Sequence, residues 1–328
     1  MKLLIALLLA GMATAAGRLS IYFIDVEGGQ ATLIVAPTGE SMLIDAGWEE
    51  RDALRIQKAM HAAGLTRINF LLLTHYHRDH AGGIAALAKL VPIVTYLDHG
   101  PNTENYAGSD EIVAAYAAVS KGRRRAIYPG DELSVGDAHV NVLIANGQRL
   151  TSPLDGAGLI NPYCGTEKPQ PMDKNENTQS IGIVVTFGNF RILDLGDILW
   201  NQEMDLVCPV NRIGTVDVYL ATHHGTKTSG AGTLVRVVHP RVAVLDNAPE
   251  KGGAPETFHI LKESPGLQAI WQLHTSTAAG QLNSPEPFIA NPGATDAGLG
   301  LVLSAAPNGE FSILNERTGK TEAYPAKR

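Results

Sequence analysis

The chain has 328 residues, 45% of them apolar, enough to bury one large core or two ordinary ones, and its 34 Gly and 18 Pro are spread along it rather than gathered in a tract, which excludes a disordered tail and points to a globular protein. A formal net charge of −7 repels long polyanions, so the composition argues against long nucleic acid as a partner and for a small-molecule substrate. The one dense basic run, Lys121, Arg123, Arg124 and Arg125, reads as a solvated helix end.

Residues 1–16 read as a secretion signal peptide: Lys2 supplies the positive start, Leu3 to Ala10 the apolar run, and Ala13-Thr14-Ala15 the small-x-small cleavage site. The apolar stretch ends after roughly a dozen residues, short of the ~20 that span a bilayer. The expectation is a periplasmic or extracellular protein with no membrane association after cleavage, in which residues 17–328 form a single domain ending in a β-hairpin.

Short β-rich runs follow at Ile21 to Asp25, Ala31 to Val35 and Met42 to Asp45, separated by glycine-containing turns. Residues 180–197 repeat the idea: Ser180 to Phe187, a Gly188-Asn189 turn, then Phe190 to Leu195 ending in Gly196-Asp197. Helical periodicity covers Asp52 to Ala63, Ile84 to Leu90 and Glu111 to Ser120, and buried-type strands are predicted at Phe70 to Leu73, Val216 to Ala221 and Val242 to Asp246. Leu299 to Ala305 and Phe311 to Asn315 read as the closing hairpin. Hairpins in both halves alternating with helices predict an α/β fold of two sheets covered by helices on the outside.

The chemistry is concentrated in Leu73-Thr74-His75-Tyr76-His77-Arg78-Asp79-His80-Ala81-Gly82-Gly83. An apolar strand runs straight into four ligand-capable side chains; His75 and His77 share one side of an extended chain, while Asp79 and His80 are presented as the chain turns into a helix. Imidazoles and a carboxylate in this density suit a pair of zinc ions, with manganese as the alternative metal.

His-x-His-x-Asp-His after an apolar strand and before Gly-Gly resembles the signature of the metallo-β-lactamase superfamily, and further matches follow in order from Ile21 to about Ser229. The resemblance implies the four-layer αββα sandwich of that fold. It implies that Asp45, in Leu-Ile-Asp-Ala-Gly, supports the motif loop, that Asp197 bridges two metals, and that His223, in Ala-Thr-His-His-Gly-Thr, is the late metal ligand. One position departs: where most members carry another His, this chain has Glu176-Asn177-Thr178-Gln179-Ser180. That departure, with Phe-Ile-Asp-Val-Glu-Gly-Gly-Gln near the start, is similar to the branch containing the competence-protein hydrolase domain and phosphorylcholine esterases, which implies phosphodiester or small-phosphoester cleavage.

From the residues themselves, one metal takes His75, His77 and Asp197, and the other Asp79, His80, Asp197 and either His223 or His224, so Asp79 and Asp197 stand at the reaction centre as catalytic residues. A hydroxide held between two cations attacks phosphorus or a carbonyl carbon. Asn177, Ser180, His224 and Lys227 are candidates to hold the substrate or support the ligands, and Asp25 and Asp45 to orient metal-bound histidines. β-Lactam or lactone hydrolysis is the alternative activity, and a metal-binding protein without turnover a further one. Cys164 and Cys208, the only cysteines, are candidates for a disulfide.

Overall fold

The computed structural model describes residues 17–171, 174–293 and 296–327; the expected signal peptide at 1–16 lies outside the described residues. The first sheet begins with the antiparallel strands β1 (Leu19–Phe23), β2 (Thr32–Val35) and β3 (Ser41–Ile44). After helix α1 (Glu50–Ala62), β4 (Ile68–Leu72) joins β3 in parallel. The single turn α2 (Arg78–Ala81) and helix α3 (Ile84–Leu90) lead to β5 (Ile93–Asp98), and α4 (Ser109–Ser120) leads to β6 (Arg124–Ala126), both again parallel.

The second sheet repeats this order. Strands β7 (Glu132–Val135), β8 (Ala138–Ala145), β10 (Gly182–Phe187) and β11 (Phe190–Asp194) pair antiparallel, with β9 (Gln148–Arg149) on β8. Beyond helix α5 (Trp200–Val207), β12 (Val218–Leu220), α6 (Gly232–Val238), β13 (Val242–Leu245), α7 (Pro255–Lys262), β14 (Ala269–His274) and β15 (Ile289–Asn291) continue the sheet in parallel. The chain then returns to the first sheet, where β16 (Leu301–Ala305) pairs with β1 and is followed by β17 (Phe311–Asn315) and β18 (Thr321–Tyr324). The expected terminal hairpin is therefore a three-stranded meander; its last strand, Thr-Glu-Ala-Tyr, buries only Tyr324 and carries too weak an alternation to be read locally.

Period-two alternation sorts the side chains into layers. Leu19, Ile21 and Phe23 of β1, Ala138, Val140 and Val142 of β8, and Ile183, Val185 and Phe187 of β10 meet in the core between the sheets. The opposite faces are also apolar, as strands buried on both sides require: Leu33, Val35 and Leu43 pack with Ile56, Met60, Ile84 and Leu87 of the first sheet's helices, and Val184, Leu193 and Leu245 with Leu206, Leu234 and Phe258 of the second's. The result is the four-layer αββα sandwich. No helix among the described residues is long and apolar enough to cross a membrane.

In each half the sheet switches from antiparallel to parallel, at β3–β4 and at β11–β12, and the loops leaving the carboxyl ends of these strands carry the charged groups. That is the edge of a parallel sheet where ligand sites form. A disulfide joins Cys164 to Cys208 across 44 residues, with Cα atoms 5.8 Å apart.

Candidate metal centre

Past β4 the chain carries Thr74 and His75, both buried, and Tyr76; His77 is the last extended residue before the single turn of α2, which swings Asp79 and His80 inward. Two glycines let this turn dock. A Cβ on Gly82 would lie 2.0 Å from the Trp48 carbonyl oxygen and one on Gly83 2.1 Å from that of Ala46, so the Gly-Gly of the motif is a requirement of close backbone approach. From the second sheet, Gly196 turns the chain after β11 and the Asp197 amide donates to Ser180 Oγ at 3.3 Å. His223 and His224 both occupy the left-handed region, at φ 55° and 56°. Two consecutive non-glycine residues there are strained, and the surrounding structure holds them: the His223 amide donates to the Gly196 carbonyl at 3.0 Å and the Gly253 amide to that of His224 at 2.9 Å.

These loops bring four groups together. His80 Nε2 is 3.3 Å from Oδ2 of both Asp79 and Asp197, and His224 Nε2 is 3.4 and 3.6 Å from the same two oxygens. One ligand atom from each of Asp79, His80, Asp197 and His224 lies within 4.8 Å of all the others. His223 Nε2 stands 3.4 Å and His75 Nε2 4.0 Å from Asp197 Oδ2. The Nε2 atoms of His75, His80 and His224 and Oδ1 of Asp197 are buried with no hydrogen-bond partner in the protein. Buried polar atoms are almost always partnered, so nitrogen and oxygen donors converging without partners fit a divalent metal.

Three far ring nitrogens are held as metal-bound histidines require. Asp45 Oδ2 lies 2.7 Å from His80 Nδ1, Thr74 Oγ1 3.0 Å from His75 Nδ1, and Ser229 Oγ 3.3 Å from His223 Nδ1, whereas Asp246 Oδ1 stands 3.2 Å from His224 Nδ1 as a charged neighbour without hydrogen-bond geometry. The electrostatics agree. Burial alone would favour neutral carboxyls, yet His80 holds Asp79, and His223 with His80 and His224 holds Asp197, well below the usual carboxylate range. Burial lowers the affinity of His80 for a proton, but Asp197, Asp79 and Asp45 outweigh it and raise the group well above its ordinary value. The cluster thus holds excess negative charge that protons on histidine balance, a role a divalent cation fills as well.

Other predicted residues fall elsewhere. Of the first expected set, His75 and His77 lie with ring centroids 4.7 Å apart and His75 reaches Asp197, while His77 Nε2 is 3.0 Å from Glu104 Oε2. Of the two late histidines, His224 enters the tight cluster, whereas His223, the one implied by resemblance, contacts Asp197 but not Asp79. Asp25 does not orient a histidine of the cluster; Oδ1 pairs with His274 Nε2 at 2.8 Å and Oδ2 with Arg55. Lys227 is exposed on the turn beyond the histidines and makes no hydrogen bond or ion pair among the described residues. Asn177 is buried, its Oδ1 unpartnered, on the wall of a pocket that also includes His223.

Three residues at the site escaped sequence reasoning. Asp246 had a readable signal, since it follows a buried strand as Asp45 does. Glu104 and Lys251 had none, being loop residues far from the motif; Lys251 Nζ pairs with Asp79 Oδ2 and lies 4.7 Å over the Trp48 ring.

A four-layer αββα sandwich with a histidine-aspartate cluster at the carboxyl ends of its parallel strands defines a class of metalloproteins. Residues 24–143 match the model of the Metallo-beta-lactamase superfamily. It is similar to a UPF0173 metal-dependent hydrolase of Cupriavidus necator, 24% identical over 254 residues, covering 76% of this chain and 81% of that protein. It is also similar to Recombination protein 2 of Haemophilus influenzae, 26% identical over 228 residues, which covers 68% of this chain but only 24% of that longer protein. Among solved structures it resembles the metallo-beta-lactamase fold protein YhfI from Bacillus subtilis, with a TM-score of 0.48 and 13% identity over 77% of this chain and 95% of that one.

Proposed function

We propose that the protein is an exported metal-dependent hydrolase that cleaves a phosphodiester or small phosphoester. The observation that carries the hydrolase reading is the convergence of His75 Nε2, His80 Nε2, His224 Nε2 and Asp197 Oδ1, all buried and unpartnered. Asp79, His80, Asp197 and His224 would hold one metal, and His75, His77, His223 and Asp197 are the side chains for a second, with zinc suited to this nitrogen and oxygen donor set and manganese the alternative. Bound there, the metal supplies Lewis acidity that activates water and absorbs the negative charge of the transition state.

The chain's own residues do the rest. Asp197, reached by four histidines, ties the two ligand sets together, while Asp45 and Thr74 keep the Nε2 lone pairs of His80 and His75 aimed inward and Asp246 sets a negative charge beside His224. Lys251, beside Asp79, adds a cation at the edge of the cluster, which suits an anionic substrate. The phosphoester reading is further supported by Asn177 where another histidine is usual. Export is supported by the pattern of residues 1–16 and by the disulfide, which belongs to an oxidising compartment. Assay of the zinc- and manganese-loaded protein on bis-p-nitrophenyl phosphate, a chromogenic cephalosporin and a simple lactone tests the substrate class; faster turnover of the cephalosporin or lactone overturns it. N-terminal sequencing of the periplasmic fraction tests export, and an intact Met1 there or recovery only in the cytoplasm overturns that part.

A further inference from the structure

His77 Nε2 and Glu104 Oε2 stand 3.0 Å apart, and both side chains are partly exposed. A pair of free side chains at a surface is worth little, because holding it costs the freedom of both. Here the carboxylate is not free. Its Oε2 also accepts the backbone amide of Glu176 at 2.7 Å. Glu176, fully buried, fixes the same loop from the other side: its Oε2 accepts the amide and the hydroxyl of Thr103 at 2.9 and 2.8 Å, and its Oε1 lies 2.7 Å from His99 Nε2. Within the loop, the Asn102 side chain donates to the Glu104 carbonyl at 2.6 Å. Tyr106, whose hydroxyl donates to the Tyr76 carbonyl at 3.0 Å, sets its ring edge-on to His77 with centroids 5.6 Å apart. The Glu104 carboxylate is thus clamped to the turn Glu176–Gln179 independently of the histidine that it meets.

That contact decides how the His77 ring can be used. A carboxylate only accepts hydrogen bonds, so the Nε2 facing it carries the hydrogen, and Nδ1 is left as the ring's lone pair. His80 is used the other way round, with Asp45 at Nδ1 and Nε2 turned to Asp79 and Asp197. A metal-bound histidine characteristically gives its second N–H to a carboxylate or carbonyl, and Glu104 supplies that partner across 27 residues of chain.

We propose that Glu104 is the positioning residue of the second ligand set: its Oε2, fixed by the Glu176 amide, takes the Nε2 hydrogen of His77 and makes Nδ1 the nitrogen that binds metal. This rests on the reading of His77 as a side chain for a second metal. Glu104 acts through the histidine and does not itself hold the ion.

Two measurements on the full chain loaded with zinc test it, and neither reads activity. Competition with a chromogenic chelator separates a tighter from a weaker site. Glu104→Ala should weaken the second about ten- to a hundredfold and leave the first unchanged, while His77→Ala loses the second altogether. Long-range proton–nitrogen NMR, with the His77 signals assigned by their loss in His77→Ala, should show hydrogen on Nε2 and zinc on Nδ1. Parent affinity at both sites in Glu104→Ala, beside loss of one site in His77→Ala, overturns the proposal and leaves the second-metal reading standing. Zinc on Nε2 of His77 also overturns the proposal, since Glu104 cannot then receive a hydrogen from that atom. A parent protein that binds a single zinc, or His77→Ala that keeps both, overturns the reading of His77 itself and the proposal with it.

Discussion

The carboxylate of Asp45 lies with Oδ2 2.7 Å from Nδ1 of His80, while its Oδ1 accepts the Thr74 amide, also at 2.7 Å. One buried side chain thereby orients a cluster histidine and anchors the loop that presents it. Asp246 stands near His224 in the second sheet, Oδ1 3.2 Å from Nδ1, without closing a hydrogen bond. Replacing Asp45 with Asn preserves size and tolerance of the left-handed φ of 57° but removes the charge that holds His80, so metal affinity should fall about ten- to a hundredfold with little change in secondary structure. Metal competition with a chromogenic chelator, read beside circular dichroism, measures this; unchanged affinity would refute the orienting role.

The adjacent histidines should separate in a metal analysis. His224 belongs to the tight buried cluster, and of the two cluster carboxylates His223 reaches Asp197 alone. His224→Ala is expected to lose the metal bound most tightly, whereas His223→Ala keeps it and loses the weaker one. Equilibrium dialysis with elemental analysis gives the stoichiometry, close to two per chain for the parent protein; retention of both metals by His224→Ala would sink the assignment.

Stability should fall with rising pH through the acid range, in part because of Glu203. Burial pushes this carboxyl up to about 7, and Oε2 accepts the Ala231 amide at the start of α6. The unfolded chain ionises it near its ordinary value of 4.5, so between there and about 7 the folded state binds more protons and stability declines as pH rises. Glu203→Gln removes this dependence and should be more stable than the parent above pH 7, by up to about 3 kcal/mol, and equal to it below the unfolded value. Asp194, raised to about 7 by burial, titrates in the same window in both proteins, so the difference between them is the measured quantity. Parallel denaturation curves at every pH would show that Glu203 is not responsible.

The disulfide closes a loop of 44 residues, which in the chain-entropy model contributes about 4 kcal/mol. Replacing both cysteines with Ser should lower the thermal midpoint by several degrees while leaving metal content intact, because neither sulfur enters the cluster. Thiol titration of the unfolded, unreduced protein from the periplasm checks the bond itself, and two free thiols per chain would mean it does not form there.

What the sequence by itself determined is whatever was written locally. Alternating apolar runs placed the hairpins and the strand before the motif, and Asp45 and Asp197, each at the end of an apolar strand, were legible because strand ends deliver side chains to one edge of a sheet. What only the tertiary structure decided is which of these groups meet. Neighbours such as His223 and His224 are equivalent as letters; two left-handed residues in succession aim them differently, and a carboxylate from a separate strand, Asp246, stands beside only one of them. Glu104 against His77 and Lys251 against Asp79 are pairings across tens to hundreds of residues, set by how two sheets pack and not by any periodicity along the chain.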